Sequence, residues 1–146
     1  MEDIMQEKIS ADHLLYVSLK YTKTCDVILN LILRWRKMIE TSIDKILEHA
    51  YEKKKIKEIP TNPLNKITEI KKLFKNDKDF LQVIEMYEMF KKIEELRKER
   101  IGEFRKNVNL KVIYRGKEIS INLEQLKIYA ENLEKFIRIT KQYLLK

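Results

Sequence analysis

The chain is poor in the residues that make turns, cross-links and metal sites. Among its 146 residues are two Gly, two Pro, one Cys and two His. Two glycines cannot build a glycine-rich phosphate-binding loop. A single cysteine excludes an intramolecular disulfide and a cysteine-based zinc site. The histidines, His13 and His49, have no His or Cys nearby at metal-ligand spacing. The sequence therefore predicts no metal site and no cofactor.

Long hydrophobic runs are also missing. The longest, VILNLIL at residues 27–33, falls far short of the ~20 residues that cross a membrane. The first ten residues, MEDIMQEKIS, are acidic and polar, unlike a secretory signal. We therefore expect no membrane partner and a cytoplasmic location.

The chain is rich in helix-forming and charged residues. It is 44% hydrophobic and 37% charged, which is too apolar for a disordered protein. Its many Lys, Ile and Glu residues are typical of proteins from hot environments. The length fits one ordinary domain. We predict a single mainly α domain over residues 1–146, a bundle of four to five helices with one β-hairpin at about 109–121 before the C-terminal helix.

The longest helical segment covers residues 10–55, which contain neither Gly nor Pro. Ser10 is a suitable N-cap. The segment is either one helix or two helices broken near YTKTCD (residues 21–26), with Thr24 or Asp26 capping the second. Apolar residues at three- and four-residue spacing predict its buried face: Ile28, Ile32, Trp35, Ile39, Ile43, Ile46 and Ala50.

A second apolar side accompanies this stripe, because Leu29 and Leu33 lie roughly 100° or more away from it around the helix. A helix that exposes one face to solvent does not need apolar residues at these two positions. The helix therefore lies either at the centre of the bundle or in a subunit interface. On the second alternative, we predict a homodimer whose interface includes Leu29, Leu33 and Trp35.

Caps and breaks mark three further helices. The Asn-Pro pair at residues 62–63 is an N-cap followed by a first helical residue, which predicts a short helix over 63–75. Another helix is predicted over 79–101, with Gly102 as its stop. Asn122, followed three residues later by a glutamine, is a capping-box variant that opens the last helix.

The stretch NLKVIYRGKEISIN, residues 109–122, changes from helical to alternating periodicity. A two-residue turn at its Arg-Gly pair predicts a β-hairpin. The pairs expected on its apolar face are Val112 with Ile119 and Leu110 with Ile121.

Positive charge is concentrated in two blocks. The net charge is +8, and residues 53–78 carry nine basic and three acidic groups. Residues 91–117 carry ten basic and four acidic groups. Such blocks attract nucleic acid or phosphate, although a lysine-rich solvated surface gives the same pattern.

The second block contains a candidate binding site. On the predicted helix, Arg97 and Arg100 continue an apolar face, so each guanidinium must pair with a carboxylate, reach out to solvent or face a polar cleft. Arg105 and Lys106 follow closely. Together these four cations could bind a phosphate group. Two flanking aromatic residues could stack on bases or belong to the core: Phe104 and Tyr114.

The helical pattern, together with RIGEFRKN at residues 100–107, resembles the HEPN superfamily of small helical bundles. Members of that superfamily typically dimerise, and many act in RNA cleavage or nucleotide handling. The resemblance implies that Arg100 is the motif arginine. Asn107 stands where the motif histidine belongs. Because an amide cannot act as a general acid or base, the resemblance implies a non-catalytic member that binds RNA, nucleotide or a protein.

Three hypotheses follow. The first is a non-catalytic dimeric helical protein with a basic surface for RNA or nucleotide. The second is a protein-interaction module that uses the apolar surface of residues 27–39, and the third is a HEPN-type ribonuclease. The binding residues of the first hypothesis are Arg97, Arg100, Arg105, Lys106 and Asn107.

Overall fold

Helices make up most of this computed structural model, which describes residues 1–146. The helices are α1 (Glu2–His13), continued by a π-helical turn (Leu14–Ser18) into α2 (Leu19–Tyr21), then α3 (Cys25–Glu52), α4 (Pro63–Leu73), α5 (Lys78–Lys92) and α6 (Leu123–Leu144). The strands are β1 (Lys98–Ile101), β2 (Asn109–Tyr114) and β3 (Lys117–Asn122). The predicted mainly α fold with a hairpin before the last helix is confirmed. None of these helices is both long enough and apolar enough to span a membrane.

The first helix begins earlier than predicted. Ser10 lies inside α1 and is not an N-cap, while Glu2 and Asp3 occupy the first turn, where the helix dipole favours negative charge. The helix extends to this point because Ile4 is already fully buried in the core.

Residues 10–55 form two helical segments, not one. The break falls between Tyr21 and Cys25, and Thr24 caps α3 by accepting a 3.4 Å hydrogen bond from the backbone N–H of Val27. β-branched threonines weaken a helix, and their hydroxyls favour caps. Of the two predicted caps, Thr24 and Asp26, Thr24 is thereby confirmed.

α3 is the central helix, and it contacts α1, α4, α5 and α6. Its entire predicted apolar stripe is buried. Trp35 is only 3% exposed and stacks on Phe90 at 6.1 Å between ring centroids. Trp35 is thus a core residue of the single chain, which corrects its assignment to a dimer interface. Leu29 and Leu33 are half-buried against the same core, and the homodimer stays a prediction.

The caps of the later helices are where the sequence indicated. Asn62 Oδ1 accepts hydrogen bonds from the backbone N–H groups of Leu64 and Asn65 at the start of α4. Asn122 Oδ1 accepts one from the Gln125 N–H at 2.8 Å at the start of α6. Each side chain satisfies backbone donors that have no partner inside the helix.

The helix predicted over residues 79–101 is wrong beyond Lys92, where α5 ends. The Lys98 ammonium group donates to the backbone carbonyls of Ile93, Glu94 and Leu96 at 2.8–3.0 Å. It therefore supplies a partner to backbone carbonyls of the turn that follows α5. A longer helix would also have carried arginines onto a buried face, which is costly without a partner.

The three strands form one antiparallel sheet in the order β1-β2-β3. The hairpin register is as predicted, with Val112 opposite Ile119 and Leu110 opposite Ile121. The turn residue Arg115 has φ +52°, and the glycine after it has φ +75°. Positive φ at both central positions is the type I′ geometry that suits a two-residue hairpin. The third strand, β1, was not predicted.

Candidate nucleic-acid interface

The predicted basic residues lie on strand β1 and in the loop to β2, not on a helix. Arg97 precedes β1, Arg100 lies within it, and Arg105, Lys106 and Asn107 lie in the loop. All five are exposed. The expectation that Arg97 and Arg100 continue a buried helix face is therefore wrong, although the five residues do belong to one region of the surface.

Arg100 forms an ion pair that ties the sheet to α3. Its Nη1 atom lies 2.7 Å from Asp26 Oδ1, and both side chains are exposed. The hydrogen bond and negative charge of Asp26 raise the pKa of Arg100 further. The partner of Arg100 is thus a carboxylate on α3, and pairing with a carboxylate was one of the alternatives that the sequence left open. Asp26 also reduces the charge that Arg100 offers to a ligand.

Two hydrogen bonds attach the β1–β2 loop to the turn between α2 and α3. Glu103 Oε1 accepts from the Cys25 N–H at 3.1 Å, and the Phe104 N–H donates to the Lys23 carbonyl at 2.7 Å. The Glu103 carboxylate thus lies at the N-terminus of α3, where the helix dipole favours an anion. These bonds bring Lys23 beside the loop, and Tyr21 precedes Lys23 by two positions in the chain.

Gly102 has a structural role in this loop instead of stopping a helix. Its φ is +66°, a conformation that L side chains rarely adopt. A Cβ atom here would lie 2.7 Å from Asn107 Oδ1 and 2.8 Å from the Asn107 carbonyl oxygen. Only glycine lets the two sides of the loop approach this closely.

Phe104 has an unusual backbone conformation and an exposed ring. It lies at the third position of a turn that is closed by the Arg105 N–H and the Gly102 carbonyl at 2.9 Å. Its φ is +66° and its side chain is 76% exposed. Glycine is preferred at this position of such a turn, and strained residues cluster at functional sites. Within the chain, the ring gains little from burial, so a ligand contact would explain its presence.

Tyr21, at the end of α2, is a second exposed aromatic residue, and the sequence analysis did not single it out. It is 78% exposed, and the Lys20 ammonium nitrogen lies 5.9 Å from its ring centroid. Tyr114 differs, because it is half-buried against the core and covered by Arg115. We use the term aromatic–basic surface for Lys20, Tyr21, Lys23, Phe104, Arg105 and Lys106.

The thiol of Cys25 lies behind this surface and is fully buried. Its Sγ atom is 3.5 Å from the Asn109 carbonyl oxygen, to which it can donate. Burial, and then the neighbouring Glu103 carboxylate, raise the pKa of Cys25 to about 12. The expected role of a packed, unreactive residue agrees with these surroundings.

The first basic block forms a separate region at the other end of α3. A groove of about 750 Å³ lies between the α3–α4 loop and α4. Lys55, Lys57 and Lys72 line it, together with Glu58 and Glu69. Lys72 is paired with Glu69 at 3.5 Å. The mixed charge and the absence of an aromatic residue from the lining make this groove less suited to nucleic acid.

No group of three or more His, Cys, Asp or Glu side chains is placed to share a metal ion. His49 packs against the Tyr143 ring at 5.4 Å between centroids, and His13 is exposed on α1. Comparisons of the chain with protein-family profiles, curated proteins and solved structures found no match. The resemblance to HEPN bundles therefore stays a prediction.

Proposed function

We propose that this protein binds single-stranded RNA, without cleaving it, through the aromatic–basic surface. The observation that carries the proposal is Phe104, a large apolar side chain that is exposed on a strained loop among cations. Bases of a single strand can stack on such rings, whereas the bases of a duplex are already stacked on one another.

The cations around Phe104 are not neutralised by carboxylates, although the Lys23 ammonium group also donates to the Lys20 carbonyl at 2.6 Å. Lys20, Lys23, Arg105 and Lys106 form no ion pair with a carboxylate. Lysine offers a mobile point charge and arginine a planar fork, and both suit a flexible sugar–phosphate backbone. Arg97 is also unpaired and extends the positive charge toward the start of β1.

The absence of cleavage is part of the proposal. Asn107 is exposed in the same loop, and an amide cannot exchange a proton with the ribose hydroxyl group at neutral pH. The proposed protein is a homodimer, as the second apolar side of α3 led us to predict. We propose Leu29 and Leu33 as its contact residues, now without Trp35.

The test is the binding of a fluorescent single-stranded RNA of about ten nucleotides, followed by anisotropy at several salt concentrations. We expect Phe104→Ala and Tyr21→Ala each to weaken binding by at least 5-fold, because one stacked base contributes about 1–3 kcal/mol. Affinity should fall steeply as salt rises, since phosphate contacts release counterions.

Tyr51→Ala is the matched control, because it removes a half-exposed tyrosine at the opposite end of α3. It should leave the affinity within 2-fold of the parent protein. Equal affinities of Phe104→Ala and the parent protein, or binding that does not respond to salt, would contradict the proposal.

A further inference from the structure

The groove between the α3–α4 loop and α4 lies at the other end of α3 from the aromatic–basic surface. Its volume is about 750 Å³. On the α4 side the lining extends from Asn65 to Lys72, a distance of about 10 Å along the helix. An extended peptide covers that distance with about three residues. The groove is therefore of a size to hold a short stretch of extended chain.

The loop that forms one side of this groove is fixed at both ends. α3 ends in the pattern of a Schellman motif, because the Lys55 N–H donates to the Ala50 carbonyl at 2.8 Å. Lys54 has the left-handed conformation that this motif requires, with φ +61°. Asn62 caps α4 at the other end of the loop. The groups between these two caps are thus held in place beside α4.

The backbone between the two caps has unused hydrogen-bonding capacity. The N–H and C=O groups of residues 56–61 form no hydrogen bond with other backbone groups. All of these residues line the groove. Exposed backbone groups of this kind are solvated by water, and they can exchange that water for the backbone of a bound peptide, which offers the same donors and acceptors.

Positive charge is concentrated on the loop side of the groove. Four of the five residues after Glu52 are lysines that form no ion pair with a carboxylate: Lys53, Lys54, Lys55 and Lys57. Of these, Lys55 and Lys57 line the groove. The α4 side instead carries an ion pair, in which Lys72 lies 3.5 Å from Glu69. The loop side therefore favours the carboxylates of a ligand.

The other lining residues distinguish a peptide from a polyanion. Glu58 and Glu69 also line the groove, so a phosphate chain, with a negative charge at every unit, would be repelled along part of its length. A peptide can place carboxylates at the lysines and neutral side chains elsewhere. Ile59, which is 40% exposed, and Pro60 offer contacts to an apolar side chain.

We propose that this groove binds an extended acidic peptide of a partner protein. The peptide backbone pairs with residues 56–61, its carboxylates lie beside Lys55 and Lys57, and an apolar side chain packs on Ile59. In such recognition, backbone hydrogen bonds supply affinity and side-chain contacts supply specificity. The proposal does not depend on RNA binding, because the groove and the aromatic–basic surface share no residue.

The test is the binding of a fluorescent peptide of about seven residues in which glutamate and leucine alternate, followed by anisotropy. In an extended chain this pattern places the carboxylates on one side and the apolar side chains on the other. A peptide with lysine in place of glutamate is the control ligand. We expect the acidic peptide to bind about 10-fold or more tightly than the basic one, because like charges in contact oppose binding.

Two double variants locate the site, and all four of the changed side chains are exposed. The first combines Lys55→Glu with Lys57→Glu, and it should weaken binding of the acidic peptide by about 10-fold or more, because attraction becomes repulsion. The second combines Lys117→Glu with Lys127→Glu, which makes the same change in net charge outside the groove. It should leave the affinity for the peptide within about 3-fold of the parent protein.

Equal binding of the acidic and basic peptides would overturn the proposal, and so would equal losses in the two double variants. Failure of the acidic peptide to bind would have the same meaning. Complete displacement of the bound peptide by single-stranded RNA would show a general anion site and would refute a peptide site. RNA binding at the aromatic–basic surface is measured with Phe104→Ala, so the two proposals stand or fall separately.

Discussion

Individual residues of the β1–β2 loop combine strain with exposure. Phe104 adopts a left-handed backbone conformation at φ +66°, which costs a non-glycine residue about 1–2 kcal/mol. Its ring gains little from burial, because 76% of it is exposed. Residues of this kind lower the stability of a chain, and they cluster at active sites and ligand contacts.

The first prediction is that Phe104→Gly makes the protein more stable and a weaker RNA binder. Glycine adopts the same φ without steric cost, so the free energy of unfolding should rise by about 0.5–1 kcal/mol. Urea unfolding followed by circular dichroism measures the change.

Phe104→Ala is the matched variant for this prediction, because it removes the ring and keeps the strained backbone. It should lose RNA affinity to the same extent without the gain in stability. If both variants unfolded at the same urea concentration, the strain assigned to Phe104 would be refuted.

At the scale of elements, the sequence predicted those with a local signature. The Asn-Pro start of α4, the Arg-Gly hairpin turn and the Asn122 cap of α6 are specified by residues that act on their immediate neighbours. Strand β1 has no such signature. Its sequence KERI carries three charged residues in succession, and backbone pairing with β2 holds it in place.

The candidate site, too, could be predicted from the sequence only in part. Arg105 and Lys106 could be named from the sequence, because they stand in a basic block, whereas Lys20 and Lys23 lie outside both blocks and were not named. Their geometry could not, because it depends on the contacts of Lys23 with Phe104 and of Asp26 with Arg100. Each contact joins residues more than 70 positions apart. Tyr21 was missed for the same reason.

The loop between β1 and β2 depends on its glycine, and the second prediction tests this. Gly102→Ala should lower the free energy of unfolding by at least ~2 kcal/mol, because it adds a clash with Asn107 to an unfavourable φ. Urea unfolding monitored by circular dichroism measures the loss.

Gly116→Ala is the control, since it has φ +75° but no atom within 4 Å of the added Cβ. It should cost only about 1–2 kcal/mol, from backbone strain alone. If Gly116→Ala proved as destabilising as Gly102→Ala, the clash with Asn107 would not be the cause.

On the scale of the whole molecule, positive charge lies at both ends of α3. This helix has 28 residues, so its ends are about 42 Å apart. The aromatic–basic surface lies beside the N-terminal end, and Lys55 and Lys57 lie beyond the C-terminal end. Long-range attraction of RNA depends on the total charge of the protein, whereas the proposed direct contact with RNA depends on the residues at the N-terminal end of α3.

The third prediction separates these contributions with two double variants. The first double variant combines Arg105→Glu with Lys106→Glu, and the second combines Lys55→Glu with Lys57→Glu. Each double variant lowers the net charge of +8 by four. The first should weaken RNA binding more than 10-fold and reduce the salt slope by about 1.4, because two phosphate contacts are lost. The second should weaken binding less than 3-fold. Equal losses would show that RNA responds to total charge alone.

The charged edge of the sheet limits how copies of this chain can associate. A free edge strand offers unpaired backbone groups to which another strand can add, and charged side chains there oppose such polymerisation. In β1, Lys98, Glu99 and Arg100 place alternating charges along the free edge. These charges oppose strand addition at the β1 edge of the sheet. A dimer joined through the helices, by the predicted contacts Leu29 and Leu33, would leave this edge of the sheet exposed, and the charges on β1 would then keep further copies from adding there.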